Sequence, residues 1–65
     1  MICKGDFETC QCHVTIYETD QVFFNEKVYC IVSLHHNNGK KVIRFGTADQ
    51  IRQICNTYKV DWVAK

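Results

Sequence analysis

Apolar and polar residues alternate over much of the first two thirds of the chain, a pattern typical of half-buried β-strands. The alternation is clearest in residues 12–17, where cysteine, valine and isoleucine alternate with polar or aromatic residues. Residues 19–21 have turn-forming side chains, and residues 22–25 then predict a short returning strand. Residues 25–27 predict a second tight connection, which leads into a strand that begins at Lys27.

An asparagine-glycine pair between two apolar runs predicts a β-hairpin. Asn38 and Gly39 fit a two-residue type I′ turn, because both central positions of that turn require a positive φ angle. This turn pairs apolar residues across the hairpin, Leu34 with Ile43 and Val32 with Phe45. A turn centred on Asn37 and Asn38 would instead place Leu34 opposite Lys41. We prefer the first register, because a shifted register turns side chains to the wrong face of the sheet.

Both faces of this predicted hairpin are largely apolar. We assign the face with Val28, Cys30, Val32, Leu34, Ile43 and Phe45 to the core. A sheet with one solvated face would carry polar residues on its other face. The other face of this hairpin is therefore predicted to bind a protein partner or a second copy of the chain, through Tyr29, Ile31, Val42 and Arg44. The alternative is that the helix or the first strands cover this face.

After the hairpin, the apolar period changes from that of a strand to that of a helix. Thr47 suits the N-cap position, and Gln50 follows three residues later, as in a capping box. A stripe at helical spacing consists of Ile51, Ile54, Cys55 and Tyr58. These features predict a helix from about Thr47 to Tyr58. Residues 60–64 are too few for a helix and predict a short final strand, with Trp62 anchoring it to the body.

The order of these elements predicts a β-rich α+β fold, with residues 1–65 forming a single small domain. The strands form either a small curled sheet or an SH3-like barrel of about four to five short strands. One C-terminal helix, over about residues 47–58, and a short final strand complete the fold. The predicted core consists of apolar side chains from these elements: Val14, Ile16, Val28, Val32, Leu34, Ile43, Phe45, Ile51, Ile54 and Trp62.

The charge balance is close to neutral, with 8 Lys and Arg against 7 Asp and Glu. Dedicated nucleic-acid-binding domains carry a clear excess of basic residues, so this balance argues against that class. A small barrel can nevertheless bind a single strand through aromatic and basic side chains. For that alternative function, the candidate contacts are Tyr17, Lys40, Lys41 and Arg44.

Three cysteines and a histidine near the N-terminus raise the question of a zinc site. Zinc ligands usually occur in pairs spaced Cys-x2–4-Cys, and this segment does not follow that spacing. Cys12 and His13 are also adjacent in a predicted strand, so their side chains point to opposite faces. We expect no metal and no other cofactor. If zinc binds, the candidate ligands are Cys3, Cys10 and Cys12, with His13, His35 or His36 as the fourth.

The sequence contains no recognisable catalytic constellation. A cysteine nucleophile needs a histidine base and an orienting group, and the spacing of these residues indicates no such set. No glycine-rich phosphate-binding loop is present either. We therefore expect that the protein is not an enzyme.

The start of the chain lacks the apolar core of a secretory signal, and no stretch is long enough for a membrane span. The five cysteines are an odd number, which argues against a complete disulfide framework. We expect a cytoplasmic protein with reduced thiols and no contact with membranes.

The composition favours a small protein-binding module, such as a phage or mobile-element inhibitor of a host enzyme or defence protein. Homodimerisation would be the simplest way to cover the second apolar face.

Overall fold

The computed structural model describes residues 1–63, which form an antiparallel sheet with one helix on one of its faces. The elements are β1 (Ile2–Glu8), β2 (Cys12–Phe23), β3 (Glu26–His35), β4 (Lys41–Thr47) and α1 (Ala48–Thr57). The strands pair in the order β1-β2-β3-β4, so β1 and β4 are the two edges of the sheet. The structure confirms a β-rich α+β fold with one C-terminal helix. The sheet is curled and open, and its strands do not close into a barrel.

The region of β2 differs from its prediction. Residues 19–21 form no turn, because the strand continues to Phe23 and absorbs these residues in a register shift between Glu18 and Val22. The tight turn lies at Phe24 and Asn25, whose φ angles of 49° and 62° are both positive. This is the geometry of a type I′ hairpin turn. The strand β1 was not predicted.

The β3–β4 hairpin has a different register from the one we preferred. Leu34 lies opposite Lys41, and Val32 lies opposite Ile43. In the connecting loop, Gly39 has a φ angle of 67° and its N–H donates to the carbonyl of His35 over 2.9 Å. The type I′ assignment is wrong, because the residue before Gly39 keeps a negative φ angle. The register moved by two residues, so each side chain stays on its predicted face.

The helix prediction is confirmed. Thr47 is the N-cap, and its backbone N–H donates to Oε1 of Gln50 over 3.0 Å. At the other end, Lys59 has a positive φ angle, and the N–H of Val60 reaches the carbonyl of Cys55 over 2.8 Å. This pattern is a Schellman motif, which reverses the chain at the end of a helix.

The segment after the helix returns to the core. Val60 and Trp62 are buried, which agrees with the predicted anchoring role of the tryptophan. Residues 60–63 form no strand, and Ala64, the last residue of the predicted final strand, lies outside the described residues. Within residues 1–63, no helix has both the length and the apolar character needed to cross a membrane.

The helix packs on the face of β3 that we had not assigned to the core. The residues buried there include Val14, Ile16, Tyr29, Ile31, Ile51, Cys55 and Trp62. On the opposite face, Leu34, Ile43 and Phe45 are 43%, 51% and 65% exposed, so their predicted place in the core is wrong. Alternation along β3 separates two apolar faces but does not say which of them a helix will cover.

Candidate protein-binding surface

The face of the sheet opposite α1 has no second layer of residues 1–63 packed over it, and we call it the outer face. Strand pairing arranges its residues in three rows that run from β1 to β4. The rows are Glu8, His13, Leu34 and Lys41; Asp6, Thr15, Val32 and Ile43; and Cys3, Tyr17, Cys30 and Phe45. The β1–β2 half is mainly polar, whereas the β3–β4 half is mainly apolar.

The apolar half of the outer face is exposed to solvent. We call Val32, Leu34, Ile43 and Phe45 the apolar patch. Val32 is half-buried, and the other three residues are large, exposed hydrophobic side chains. Cys30 lies between Tyr17 and Phe45 in the third row and is only 2% exposed. The patch is therefore contiguous, because its members are neighbours along or across two paired strands.

Apolar surface continues onto the β2–β3 hairpin. Beyond the ends of β1 and β4, only these two strands remain paired, so the hairpin extends as a two-stranded ribbon. Its tip carries the exposed residues Val22, Phe23 and Phe24. A groove of about 330 Å³ between the ribbon and β4 is lined in part by Phe23, Val28 and Phe45.

The polar half of the outer face contains an ionic cluster. One ring nitrogen of His13 contacts Glu8, and the other contacts Asp6. Nε2 of His36 reaches the second oxygen of Glu8 over 2.8 Å, and the Thr15 hydroxyl donates to Asp6 over 3.1 Å. The hydrogen bond to Glu8, and then that to Asp6, raise the pKa of His13, and the contact with His13 lowers the pKa of Glu8.

The β4 edge carries cations that make no ion pair within residues 1–63. Lys40, Lys41 and Arg44 are exposed there. Lys4 and Lys27 pair with Glu18, and Arg52 pairs with Asp49. Lys59, which follows α1, also makes no ion pair within residues 1–63 but lies away from β4. Positive charge at β4 is therefore available to a ligand.

The residues predicted to bind a partner lie mostly beneath the helix. Tyr29 is 5% exposed and Ile31 is 1% exposed, and both belong to the core under α1. Val42 is half-buried on the same side, and Arg44 is exposed at the edge. The helix of the same chain covers this strip, as the alternative expectation had it. The sequence indicated a second apolar face correctly but placed it on the wrong side.

The residues considered for nucleic-acid contact do not share one surface. Tyr17 and Lys41 lie on the outer face, but Tyr17 is on β2 in the third row and Lys41 is on β4 in the first row. Arg44 pairs with Ile31 and so points to the helix side of the sheet. Lys40 lies in the loop before β4. The structure therefore does not bring the tyrosine and the three cations into one aromatic and basic platform.

The residues considered for zinc are also separated. Cys12 is fully buried on the helix side, whereas His13 lies on the outer face. Cys3 and Cys10 are exposed, on β1 and in the loop before β2. Within the described residues, no group of three or more histidine, cysteine, aspartate or glutamate side chains has an arrangement that could hold a metal ion.

The buried thiols have shifted protonation equilibria. Burial raises the pKa of Cys30 and also that of Cys55. A raised pKa keeps a thiol protonated, and the protonated thiol is a poor nucleophile and a poor metal ligand.

The sequence prediction missed Leu34, Ile43 and Phe45 as surface residues, and it read the tip residues Phe23 and Phe24 as part of an ordinary strand. The available signal was that β3 and β4 are apolar on both faces, when one helix can cover only one. No known protein family, curated protein or solved structure matches this chain. No residue role can therefore be carried over from a relative.

Proposed function

We propose that this chain is a small protein-binding module and that the apolar patch on its outer face is the binding surface. The observation that supports this proposal most strongly is the exposure of Leu34, Ile43 and Phe45 side by side on two paired strands. Contiguous exposed apolar surface, especially with a polar rim, usually marks an interaction site. The ionic cluster on β1 and β2 forms such a rim on one side of the patch.

Burial energetics support the same function. Burying apolar surface contributes about 25 cal/mol for each Å² removed from water, so a partner that covers three large side chains gains several kcal/mol. The polar half of the outer face offers no comparable gain, because its charges already contact one another and would lose solvent. Binding energy is therefore concentrated in the β3–β4 half.

A more specific proposal is that the partner is a host enzyme or defence protein, which a phage or mobile element inhibits with this small chain. Its support is the small size of the chain, together with an apolar surface that could cover part of another protein. The outer face could also be covered by a second copy of the chain. Affinity capture detects a host protein on this face, and light scattering detects a second copy.

Affinity capture from a lysate of a plausible host, followed by reconstitution, tests the proposed function. Tagged wild-type chain and the Phe45→Asp variant serve as baits, and retained proteins are purified and titrated against each bait. We expect a saturable complex with the wild type that Phe45→Asp weakens by tenfold or more, because a charge would be buried against an apolar partner.

The matched control is Asn56→Asp, which adds the same charge to an exposed position of α1 on the other side of the sheet. It should bind as the wild type does. Equal binding by Phe45→Asp and the wild type would refute the outer face as the binding surface. Light scattering of the bait alone identifies a homodimer, which would make a second copy the occupant.

A further inference from the structure

We propose that the free edge of β4 binds an extended peptide segment of the partner as a fifth strand of the sheet. The segment carries apolar residues that alternate with aspartate or glutamate. This inference rests on the proposed protein-binding function and names the chemistry of the partner. Strand addition is a common form of peptide recognition, in which main-chain hydrogen bonds give affinity and alternate side chains give specificity.

The hydrogen-bonding groups of β4 are arranged for strand addition. The N–H of His35 donates to the carbonyl of Lys40 over 2.9 Å, which identifies this pair as hydrogen-bonded. Bonded and non-bonded pairs alternate along an antiparallel ladder. Val42 and Arg44, two and four positions beyond Lys40, therefore also form hydrogen bonds with β3. Ile43 and Phe45 therefore direct their N–H and C=O groups away from the sheet.

A contact at the end of β4 supports this assignment. By the same alternation, Thr47 also directs its N–H away from β3, and that N–H donates to the side chain of Gln50. The ladder is regular from Leu34 opposite Lys41 to Val28 opposite Thr47, with no register shift. A regular edge of this kind presents evenly spaced donors and acceptors to an incoming strand.

Both sides of the edge offer contacts to the side chains of an added strand. On the outer face, Ile43 and Phe45 would lie beside every second residue of the peptide. On the helix side, a groove of about 430 Å³ lies between β4 and α1. Its lining is mixed, with the apolar Phe45 and Ile54 beside the polar and exposed Arg44, Gln50, Gln53 and Thr57. Apolar peptide residues therefore fit the outer side, and the polar side chains with Arg44 favour a polar or acidic residue on the helix side.

Charge identifies the peptide as acidic. Lys40, Lys41 and Arg44 make no ion pair within residues 1–63, and all three lie in or next to β4. An acidic residue on the helix side of the added strand would meet Arg44, and one near the loop would meet the two lysines. Hydrogen bonds between charged partners of this kind are stronger than neutral ones.

The same charges disfavour a second copy at this edge. Antiparallel pairing of β4 with β4 of another chain would bring the lysines and arginines of both copies to one seam. Lysine on an edge strand is a common device against such self-pairing.

The other edge, β1, is a poorer site for an added strand. Its ladder is interrupted by a register shift between Cys3 and Gly5. A bulge of this kind bends and twists an edge strand and leaves one residue out of the ladder.

Amide hydrogen exchange with a defined probe tests the inference. The probe is a short acetylated and amidated peptide in which valine alternates with glutamate. We expect it to slow exchange at Ile43 and Phe45 by about tenfold or more, because their N–H groups become hydrogen-bonded. Exchange at Val42 and Arg44 should change less, because those amides already bond to β3. A peptide that alternates valine with lysine should bind at least about tenfold more weakly.

A pair of substitutions at one position separates the backbone from the side chain. Ile43→Pro removes an outward N–H without removing a ladder bond, which an edge strand tolerates. Ile43→Ala also shortens the side chain but keeps the N–H. Peptide affinity should be about tenfold lower in Ile43→Pro than in Ile43→Ala, which is the loss expected for one hydrogen bond.

Several results would overturn the inference. These are no saturable binding of the glutamate peptide, binding without protection of Ile43 and Phe45, and equal affinity for the lysine peptide. Protection of these amides in concentrated protein without peptide would identify a second copy as the occupant. If Ile43→Pro does not fold, the exchange data on the wild type decide. A captured partner that depends on Phe45 but leaves the β4 amides unprotected would refute strand addition and retain the proposed function.

Discussion

The rings of Tyr29 and Trp62 pack edge to face, with their centroids 5.2 Å apart. Tyr29 belongs to β3, and Trp62 belongs to the segment after the helix, so this contact closes one end of the core. Both side chains are buried, and the Schellman motif at the end of α1 directs the chain back towards them. The contact connects the last part of the chain to the sheet.

Replacing Trp62 with alanine should destabilise the fold severely. Truncating a buried tryptophan costs about 3–5 kcal/mol, which approaches the whole stability of a domain of this size. Urea unfolding followed by circular dichroism measures the loss. Val63→Ala is the control, since that neighbouring side chain is 69% exposed and its truncation should change stability little. Equal midpoints for the two variants would contradict the placement of Trp62 in the core.

The turn at the tip of the β2–β3 hairpin should become more stable when Phe24 is replaced by asparagine. Phe24 has a φ angle of 49°, and a residue other than glycine or asparagine loses about 1–2 kcal/mol in that conformation. Phe24→Asn should therefore raise the free energy of unfolding by about 1 kcal/mol. Phe24→Ala also removes the exposed ring but keeps the strained backbone, so it should not produce this gain. Similar stability in the two variants would argue against the type I′ turn.

Local signals in the sequence were sufficient for the helix and for the returning tryptophan. Thr47 and Gln50 define the start of α1 through neighbouring backbone and side-chain atoms, and the stripe with Ile51 and Cys55 defines its buried side. These features depend on residues a few positions apart. The anchoring role of Trp62 followed from its size and its position at the end of an otherwise complete fold.

The sequence did not show which face of the sheet the helix covers or which register the β3–β4 hairpin adopts. Both faces of the β3–β4 hairpin are largely apolar, so alternation could not show that the helix would cover Ile31 on β3 and leave Ile43 on β4 exposed. The register also depended on how many residues before Gly39 join the loop, because one glycine with positive φ suits several loop lengths. Residues 19–21 have turn-forming side chains, but in the structure they lie at a register shift within β2. The sequence therefore predicted a second apolar face, but it did not show that the exposed face is the one with Ile43 and Phe45.

The ionic cluster on the outer face should make stability depend on pH. Glu8 and then Asp6 raise the pKa of His13 above 6.5, so its contribution is fully present below pH 6.5 and is lost as pH rises through the raised pKa. His13 lowers the pKa of Glu8 below 4.5, so that contribution is present above pH 4.5 and is lost as pH falls through the lowered pKa. The cluster therefore stabilises most between pH 4.5 and 6.5.

Thermal unfolding of His13→Gln across this range tests the pH dependence. The melting temperature of the wild type should fall more than that of the variant as pH rises from 6.5, because only the wild type loses the charged imidazole. The difference should be small and should decrease with salt, since these groups are exposed. Glu8→Gln should flatten the profile in a similar way. Parallel profiles in the wild type and both variants would exclude a contribution from the cluster.

The most direct test of the outer face as a binding surface compares aspartate at two positions on β3 and β4. Ile31 is 1% exposed under the helix, and Ile43 is 51% exposed in the apolar patch. Circular dichroism should show that Ile31→Asp unfolds the domain, because it buries an unpaired charge. Ile43→Asp should stay folded and lose affinity for the protein that the wild type retains. An unfolded Ile43→Asp variant, or a folded one that binds as tightly as the wild type, would contradict a free and functional outer face.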